Sequence, residues 1–511
     1  METATAKKSE NWLTPLALTV LSGILLALSF PRFDFGFLAW IALIPLLVAV
    51  EGKDLARSFI YGYITGIVTF IGQMWWLNVA HPLAPFAVSI ILGAYIGFFS
   101  LLYRFVQGSV PVTPLITIPA LWVSTEFARQ FGAIAFPVGM LGYSQHNYLP
   151  VIQFADIGGV YALSFLIALI NASFYIIVKN IYSRRHIIRS VVIAVLIITF
   201  ILGYGSNKMQ QYRQAGKTDF KVAVIQPNIN YYAKNYDAHK ALDVVDGLTM
   251  QAIREKPDLI AWPETVIEQY SYFHTDALEK LLRRARKYNN YLLYGSPREA
   301  NSNGEKKIYN SAFLLSPANK FLGVYDKQHL IPVFENFSDY LIRLGFTRSS
   351  RGTYAAGSDF TMFRTPKANF AVTICFDALF PDLVGQLLNS GGQFMINIAD
   401  DSWSSSATEH YQHASMNIFR AVENRIYYVR AANSGISMAI SPLGKVEKFI
   451  SVYKRGFFIA NISPKKGKTI YNLYGDFVAY LSFALTINAI IFAIILGFFV
   501  HFETIKKQIS E

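Results

Sequence analysis

Eight long apolar segments constrain the fold of this chain more than any other feature of its sequence. Seven of them fall in the first 206 residues, and the eighth lies near the carboxyl end. A helix needs about 20 apolar residues to cross about 30 Å of hydrocarbon, and most of these segments reach that length. The sequence therefore predicts a polytopic α-helical membrane bundle with about eight transmembrane helices. We expect spans at residues 12–30, 35–50, 59–80, 85–105, 114–131, 154–178, 187–205 and 477–500.

The composition supports a membrane protein and argues against a nucleic-acid partner. Of the 511 residues, 53% are hydrophobic and only 15% are charged. The net charge is +13, but the basic residues lie beside the apolar segments, where they set topology and contact anionic lipid headgroups. We therefore expect membrane lipids, and no nucleic acid, as partners.

The Lys and Arg residues between the spans predict how the bundle is oriented. Alternate loops carry nearly all of them, and the other loops hold only Arg32 and Arg129. Because basic loops stay in the cytoplasm, both termini are predicted to be cytoplasmic. The segment between spans seven and eight then faces the periplasm of a Gram-negative cell. The basic loop residues are Lys7, Lys8, Lys53, Arg57, Arg104, Lys179, Arg184, Arg185, Arg189, Lys506 and Lys507.

A soluble domain is predicted at 215–470, between the transmembrane region 1–206 and the final helix 477–500. Short β-rich runs alternate there with helical stretches, and continuous apolar strands indicate sheets that are covered on both faces. The pattern predicts an α/β fold with two packed sheets and outer helices. Strands are expected at 221–226, 258–262, 291–294, 311–315, 370–374, 394–398 and 436–440, and helices at 276–288 and 411–427.

Three polar residues at or near the ends of apolar runs could perform acyl transfer together. Glu264 follows the DLIAW run, Lys327 lies in VYDKQHLIP, and Cys375, the only cysteine, ends the FAVTI run. A thiol needs a base to become a nucleophile, a buried carboxylate can be that base, and an ammonium can stabilise the oxyanion. Cys, Glu and Lys are therefore a sufficient catalytic set.

Each of the three residues also has an ordinary structural explanation. A Cys in an apolar strand is usually a buried small hydrophobe, and a Glu after Trp-Pro is usually a cap or turn residue. A Lys beside an Asp is usually a solvated ion pair. Spacing alone does not bring the three side chains together, so the residues by themselves leave both interpretations open.

Three motifs resemble the Glu-Lys-Cys signature of the nitrilase superfamily. WPET contains Glu264, YDKQHLIP contains Lys327 and TICFD contains Cys375, in the order of that superfamily. Seven spans, such a domain and a final span are similar to the membrane-embedded branch formed by the apolipoprotein N-acyltransferases. The resemblance covers nearly the whole chain and implies an αββα sandwich for the soluble domain. Further similar segments are 29–47, 136–145, 153–161, 224–229 and 433–435.

The resemblance implies a role for each motif residue. Cys375 is expected to be the nucleophile, Glu264 the general base and Lys327 the residue that stabilises the oxyanion. Glu335, eight residues after Lys327, is expected to assist by positioning or proton transfer. No cofactor and no metal ion are implied.

Supporting roles are expected for Phe376, Asp377 and Trp403, although the chain departs from the family pattern beside the nucleophile. The family usually has Tyr and Glu where this chain has Phe376 and Asp377. It also usually has Asn where this chain has Asp400, and Trp where this chain has Val138. These differences weaken the transfer of roles to positions 376, 377 and 400.

The function that the resemblance implies is that of a phospholipid:apolipoprotein N-acyltransferase. The acyl chain of a phospholipid, typically phosphatidylethanolamine, would move to Cys375 as a thioester. It would then move to the α-amino group of a diacylglyceryl-cysteine at a lipoprotein N-terminus, which makes the catalysis ping-pong. The expected partners are therefore a phospholipid donor and diacylated prolipoprotein acceptors, at the inner membrane.

Other polar residues receive structural interpretations. His410 and His413 lie three residues apart on a predicted helix, but no third metal ligand follows at helical spacing. Glu126 and Arg129, near the end of the fifth span, fit either an interfacial pair or contacts with lipid headgroups. A lid over the thioester is expected from Tyr231, Tyr232 and Tyr236 or from segment 334–346, against the alternative that these aromatic residues pack in the core.

Two other functions remain open at this point. A membrane-tethered amidase would use the same three residues with water as the acceptor, but eight spans are a large anchor for a hydrolase of soluble amides. A transporter with an accessory domain would usually keep ionisable residues in the middle of its spans, and spans one to four and eight have almost none.

Overall fold

The computed structural model describes most of the chain in ten ranges. These ranges are 12–109, 113–132, 134–213, 219–230, 238–266, 275–302, 304–332, 334–335, 354–465 and 467–510. The expected lid residues Tyr231, Tyr232 and Tyr236 lie outside them, as does the segment 334–346 after Glu335.

Apolar helices form the amino-terminal part of the chain and pack through small residues. A Cβ on Gly66 would lie 2.6 Å from the backbone of Gly93, and one on Gly62 would lie 2.5 Å from the Ile96 carbonyl. Such close backbone approach is how helices associate in lipid, where burial of apolar surface gives no drive. The bounds are α1 Leu13–Leu28, α2 Ile44–Val50, α3 Leu55–Met74, α4 Ala84–Ser109, α5 Pro114–Ala128, α6 Leu149–Ile152, α7 Ala155–Lys179 and α8 Arg184–Arg213.

Five helices in the described chain are long and apolar enough to cross a membrane. The second predicted span is divided into a 3-10 turn at Gly36–Trp40 and helix α2, with Pro45 in the first turn of α2. Proline lacks the N–H that an uninterrupted helix would need there. The count of about eight transmembrane helices therefore stays a prediction. The five helices are Leu55–Val79, Ala84–Ser109, Ala155–Lys179, Arg184–Tyr212 and Phe477–Phe499, and two shorter apolar segments are Leu13–Leu28 and Gly36–Val50.

Helix α7 is broken near its start, whereas the sequence predicts one continuous span there. Gly158 and Gly159 have non-helical backbone angles, and the φ of Gly159 is +68°. Glycine adopts this left-handed conformation without the steric cost of a Cβ. The Val160 N–H, which starts the second part of the helix, donates to Glu423 Oε1 at 3.0 Å. A side chain of the following domain thus caps a membrane helix.

Glu126 and Arg129 are buried inside the bundle, which contradicts the expected contact of these side chains with lipid headgroups. Glu126 Oε1 accepts from the Trp122 indole at 2.8 Å and from the Leu141 N–H at 2.6 Å. Arg129 donates to the Val138 carbonyl at 2.9 Å. The chain folds back after α5 and supplies these partners, which the position of a charge near a span end does not reveal.

Two six-stranded sheets follow the first eight helices. The strand order is β12-β1-β2-β3-β4-β5 in one sheet and β11-β10-β9-β8-β7-β6 in the other. Strands β1, β2 and β3 run parallel, as do β7, β8 and β9, and the outer strands are antiparallel. The bounds are β1 Phe220–Gln226, β2 Leu259–Ala261, β3 Tyr291–Ser302, β4 Glu305–Leu315, β5 Phe321–Asp326, β6 Met362–Arg364, β7 Asn369–Ile374, β8 Phe394–Ala399, β9 Tyr428–Ala432, β10 Ser437–Ile440, β11 Val446–Ile450 and β12 Gly456–Ile462.

The two sheets pack face to face with helices outside, as the α/β prediction requires. Alternate residues of β1 point to opposite faces, so Val222 joins the core between the sheets and Ala223 joins a core beneath the outer helices. The rings of Phe220 and Phe394, one from each sheet, lie 5.2 Å apart. The remaining helices are α9 Ala238–Ala252, α10 Thr275–Tyr288, α11 Pro381–Asn389, α12 Ala407–Asn424, α13 Ile470–Tyr474 and α14 Phe477–Ser510.

Candidate active site

The three predicted catalytic residues lie just after strands that belong to both sheets. Glu264 comes three residues after β2, Lys327 directly follows β5, and Cys375 directly follows β7. Their exposed fractions are 5%, 1% and 4%. Buried ionisable groups that converge at strand ends are typical of an active site.

Lys327 forms ion pairs with two carboxylates. Its Nζ lies 2.9 Å from Glu335 Oε1 and 3.6 Å from Glu264 Oε1. The other oxygen of Glu335 accepts from the Ile331 N–H at 2.7 Å, which fixes this carboxylate. Burial lowers the pKa of Lys327, but Glu335 and then Glu264 outweigh that effect and raise the pKa above its ordinary value. The ammonium therefore stays charged, and the alternative of a solvated pair with Asp326 does not apply.

Cys375 occupies a turn with a strained backbone conformation at the end of β7. Its φ is +49°, and it begins a 3-10 turn over Cys375–Leu379. The left-handed conformation costs a residue with a Cβ about 1–3 kcal/mol, so neighbouring groups must hold it. The Cys375 carbonyl has two such contacts, to Asn397 Nδ2 at 3.4 Å and to His413 Nε2 at 3.1 Å.

Asp377 joins the turn that carries Cys375 to the turn that carries Lys327. Its Oδ2 accepts from the Ile374 N–H at 3.1 Å and from the Tyr325 hydroxyl at 2.9 Å. Its Oδ1 accepts from the backbone N–H groups of Gln328 at 3.2 Å and His329 at 2.8 Å. The departure from the family pattern at position 377 thus leaves a fully buried carboxylate that bonds both turns.

The electrostatics of the site call for a general base. Burial raises the pKa of the Cys375 thiol, Glu264 raises it further, and Lys327 lowers it, so that it stays well above its ordinary value. Burial also raises the pKa of Glu264, against the opposing effect of Lys327. A protonated thiol beside a carboxylate of raised pKa is the arrangement that proton abstraction requires.

Asn310 and the backbone of Asp400 hold Glu264, and sequence reasoning did not identify the role of either. Asn310 Nδ2 donates to Glu264 Oε1 at 2.6 Å, and the Asp400 N–H donates to Oε2 at 2.8 Å. The Asn310 carbonyl also accepts from the Lys327 N–H at 2.8 Å. The only sequence signal for Asn310 is a polar side chain beside the apolar half of a strand.

Phe376 and Trp403 contact the membrane part of the chain. The ring of Phe376 lies 5.8 Å from that of Phe136, which follows α5. The ring of Trp403 lies 5.9 Å from that of Trp76, in the turn just after α3, and 6.3 Å from that of Phe334. The structure therefore places both predicted supporting residues between the site and the membrane helices.

A buried network of charged groups lies behind Cys375. Asp401 accepts from Arg430 Nη2 at 2.7 and 2.9 Å, and His413 Nδ1 lies 3.2 Å from Asp401 Oδ1. His410 Nδ1 lies 3.0 Å from Glu409 Oε2. These side chains are close enough to be considered as metal ligands in two groups: Cys375, Asp401 and His413, and Asp401, Glu409 and His410. Because Arg430 already neutralises Asp401, the arrangement fits an ion-pair network that supports the turn of Cys375. Both histidines are buried.

A membrane-embedded enzyme of the carbon-nitrogen hydrolase type is the class that this fold and site define. Residues 221–470 match the family described as carbon-nitrogen hydrolase. Residues 22–173 match the family described as the apolipoprotein N-acyltransferase N-terminal domain.

Several named relatives match the helical part and the soluble domain of this chain in one alignment. An apolipoprotein N-acyltransferase of Geobacter metallireducens is 33% identical, over 91% of this chain and 92% of the relative. Apolipoprotein N-acyltransferase 1 of Treponema denticola is 26% identical over 94% of this chain and 96% of its own. The corresponding protein of Chlorobaculum tepidum is 27% identical over 91% and 94%. The chain therefore belongs to the apolipoprotein N-acyltransferase family and is an acyltransferase of bacterial type.

Solved structures of the nitrilase superfamily align with part of the chain. A branch 10 member from Saccharomyces cerevisiae shares 20% identity with a TM-score of 0.38, over 51% of this chain and 96% of that protein. An amidase from Nesterenkonia sp. shares 17% identity with a TM-score of 0.37, over 49% and 92%.

Proposed function

We propose that the protein transfers a fatty acyl chain from a membrane phospholipid, through a thioester on Cys375, to the α-amino group of the N-terminal diacylglyceryl-cysteine of lipoproteins. This reaction is the last acylation in lipoprotein maturation. The observation that carries the proposal is one buried site in which Glu264, Lys327 and Cys375 come together at the ends of strands, with Lys327 Nζ 3.6 Å from Glu264 Oε1. Phe376, next to Cys375, packs on Phe136 in the part of the chain that contains helices long and apolar enough to cross a membrane.

In the first half-reaction, Cys375 Sγ attacks the ester carbonyl carbon of the donor while Glu264 takes the thiol proton. The negative charge that develops on the carbonyl oxygen is stabilised by the Lys327 ammonium. As the tetrahedral intermediate collapses, the C–O bond breaks and Glu264 returns the proton to the departing oxygen. Lysophospholipid leaves, and the acyl group remains on Cys375. Glu335 serves this step by holding Lys327 Nζ at 2.9 Å.

In the second half-reaction, the α-amino group of the acceptor attacks the thioester carbonyl. Glu264 takes a proton from the attacking nitrogen, and Lys327 again stabilises the oxyanion. The C–S bond then breaks, the amide remains on the acceptor, and the proton passes to the Cys375 sulfur. Burial of the site restricts water, which would otherwise hydrolyse the thioester.

The same proposal specifies the acyl donor, the acceptor and the side of the membrane on which the catalytic domain lies. Phosphatidylethanolamine is the proposed donor, and diacylated prolipoproteins are the acceptors. The catalytic domain 215–470 would lie in the periplasm, between the transmembrane region 1–206 and the final helix 477–500, with both termini in the cytoplasm. The support for this orientation is the concentration of Lys and Arg in alternate loops.

The molecule that receives the acyl group from the thioester distinguishes an acyltransferase, which uses an amine, from a hydrolase, which uses water. Protein loaded with a labelled acyl group from phosphatidylethanolamine should N-acylate a diacylated lipopeptide that has a free α-amino group. The same lipopeptide with an acetylated N-terminus is the matched control and should not discharge the thioester. Release of free fatty acid at equal rates with both peptides would support a membrane-tethered amidase instead.

A further inference from the structure

One side chain of the catalytic domain, that of Gln412, forms three hydrogen bonds with the membrane part of the chain. Gln412 lies on α12 and is buried. Its Nε2 donates to the carbonyls of Pro31 at 2.7 Å and Gln73 at 2.9 Å. Its Oε1 accepts from the Trp76 indole N–H at 2.9 Å. Both the donor and the acceptor end of the amide are thus occupied by partners more than three hundred residues away in sequence.

These bonds fix the point where α3 ends. The last carbonyls of a helix have no partner within it, and Gln412 supplies one for Gln73, next to the terminal residue of α3. A 3-10 turn over Trp75–Val79 follows, and Trp76 is the residue of this turn that Gln412 holds. The neighbouring Trp75 is 49% exposed, and its ring contacts that of Phe86 at 6.0 Å instead. Only one of the two adjacent tryptophans is therefore turned toward the catalytic domain.

Trp76 belongs to an aromatic group that reaches the active-site loops. Its ring lies 5.9 Å from that of Trp403, and Trp403 lies 6.3 Å from Phe334. Trp403 follows Asp400, whose N–H binds Glu264, and Phe334 precedes Glu335, which binds Lys327. Trp76 and Trp403 are only partly buried, and Phe334 is exposed. Part of each of these side chains is therefore accessible to an apolar ligand.

We infer that Gln412 is a positioning residue for the acyl donor, because it holds Trp76 in the orientation in which Trp76, Trp403 and Phe334 bind the acyl chain that reacts at Cys375. This inference rests on the proposed function. Methylene groups gain free energy from contact with apolar ring faces, and a ring that is already fixed loses no freedom when the chain binds. The effect of Gln412 on the reaction thus grows with the length of the donor chain.

The experiment compares Trp76→Phe with its matched control Trp75→Phe. Trp76→Phe keeps an aromatic ring but removes the N–H that bonds Gln412, whereas Trp75→Phe changes the adjacent residue in the same turn. The rate of acylation of Cys375 is followed with a long-chain phosphatidylethanolamine, with dihexanoyl-phosphatidylethanolamine and with soluble p-nitrophenyl acetate. Trp76→Phe should slow the long-chain donor roughly three- to tenfold, as expected for one lost buried hydrogen bond, and mainly through KM. Its effect on p-nitrophenyl acetate, whose acetyl group offers no long chain for the rings to bind, should be smaller than its effect on the long-chain donor. Trp75→Phe should leave all three rates unchanged.

A second variant keeps the inference testable if one substitution perturbs folding. Gln412→Met has similar volume but forms none of the three bonds, so it should show the same selective loss for the long-chain donor per folded molecule. In the double variant Trp76→Phe/Gln412→Met, the loss of rate for the long-chain donor relative to the short donor should be no larger than in Gln412→Met alone. Both substitutions break the same hydrogen bond of the Trp76 indole. An equal loss for long and short donors, or no effect of Trp76→Phe, would overturn the inference. Failure of the wild-type protein to form a thioester with any phospholipid would instead contradict the proposed function.

Discussion

Asp377 holds the turn that carries Cys375 in register with the turn that carries Lys327. Its Oδ2 accepts from the N–H of Ile374, the last residue of β7, and its Oδ1 accepts from the two N–H groups that follow Lys327 after β5. Tyr325 donates to the same carboxylate from within β5. The motif TICFD identifies Cys375 without the structure, but the four donors around Asp377 come from positions that no spacing rule connects.

Lengthening this side chain should therefore disturb the site. Asp377→Glu adds one methylene group to a fully buried position, and overpacking of this kind costs about 1–3 kcal/mol. We expect a lower apparent melting temperature in detergent and slower acylation of Cys375. Asp359→Glu makes the same chemical change at an exposed position and should have no effect on either quantity. A stable, fully active Asp377→Glu protein would show that the site accommodates the longer residue.

The pH dependence of acylation should report Glu264. Burial raises the pKa of this carboxyl above its ordinary value of 4.5, although Lys327 opposes the shift. The base acts only when deprotonated, so the rate should rise with pH through this raised pKa and then level off. Glu264→Gln should lower the rate by about 10²–10⁴-fold, the usual contribution of a general base.

The contrasting result for this measurement is a rate that keeps rising until the thiol itself ionises. Burial and Glu264 raise the pKa of the Cys375 thiol, so the thiol would ionise without a base only in alkaline solution. If the acylation rate had this pH dependence, and Glu264→Gln had it too, Glu264 would not be the base that takes the thiol proton.

At the scale of elements, helix α12 connects the active site to the membrane helices. The sequence predicts a helix at 411–427, and the structure has it at Ala407–Asn424. One end contributes Gln412 and His413, and the other contributes Glu423, which caps the broken helix α7. Just beyond the helix, Arg425 bonds Asp156 at 2.9 and 3.0 Å. The helix itself follows from periodicity, but its partners lie hundreds of residues away and depend on tertiary packing.

Two buried carboxyls near this junction should make stability depend on pH. Burial raises the pKa of Asp476 to about 7, and it raises the pKa of Glu423 to about 8 despite the opposing charge of Arg420. A carboxyl whose pKa rises on folding stabilises the folded state below its unfolded pKa, and this contribution is lost as the pH rises through the folded value. The apparent melting temperature should therefore fall between about pH 5 and pH 8.

Asp476→Asn removes one of the two titrating groups. The decrease in melting temperature over that pH range should be smaller in this variant, whereas Asp359→Asn at an exposed position should match the wild-type protein. An unchanged decrease in Asp476→Asn would contradict the assignment to this carboxyl.

The sheets show where sequence patterns suffice and where they do not. All seven predicted strands exist, because continuous apolar runs mark strands buried on both faces. The prediction for 291–294 captures only the first third of β3, since the rest of Tyr291–Ser302 is a polar hairpin arm paired with β4. Strand β9 escapes notice because its apolar run contains Arg430, whose charge is buried against Asp401. Motifs identify Glu264, Lys327 and Cys375, whereas Asn310 and His413 become visible only through the fold.

At the scale of the whole molecule, the membrane helices and the catalytic domain share one buried core. Phe30, Met74 and Val160 from the helical part belong to the same apolar cluster as Phe370 and Ile396 of the second sheet. A domain that only needed an anchor would not require so extensive a contact. The shared core holds the site against these helices, as the proposed transfer between two membrane-anchored substrates requires.

The proposed orientation can be tested with single cysteines placed on a Cys375→Ala background. Phe449 of β11 is 62% exposed, and Tyr182, between α7 and α8, is fully exposed. Phe449→Cys should react with a membrane-impermeant maleimide in cells whose outer membrane has been permeabilised. Tyr182→Cys should react only after the inner membrane is also opened. The opposite labelling pattern would place the catalytic domain in the cytoplasm.

Cys375 acylation is the central claim, and intact-mass spectrometry of the purified protein with phosphatidylethanolamine tests it most directly. The account predicts a mass increase of one fatty acyl group that hydroxylamine removes, that peptide mapping places on Cys375, and that Cys375→Ala lacks. The same protein without phospholipid provides the baseline mass. A folded wild-type protein that gains no acyl group, or an adduct that persists in Cys375→Ala, would contradict the account.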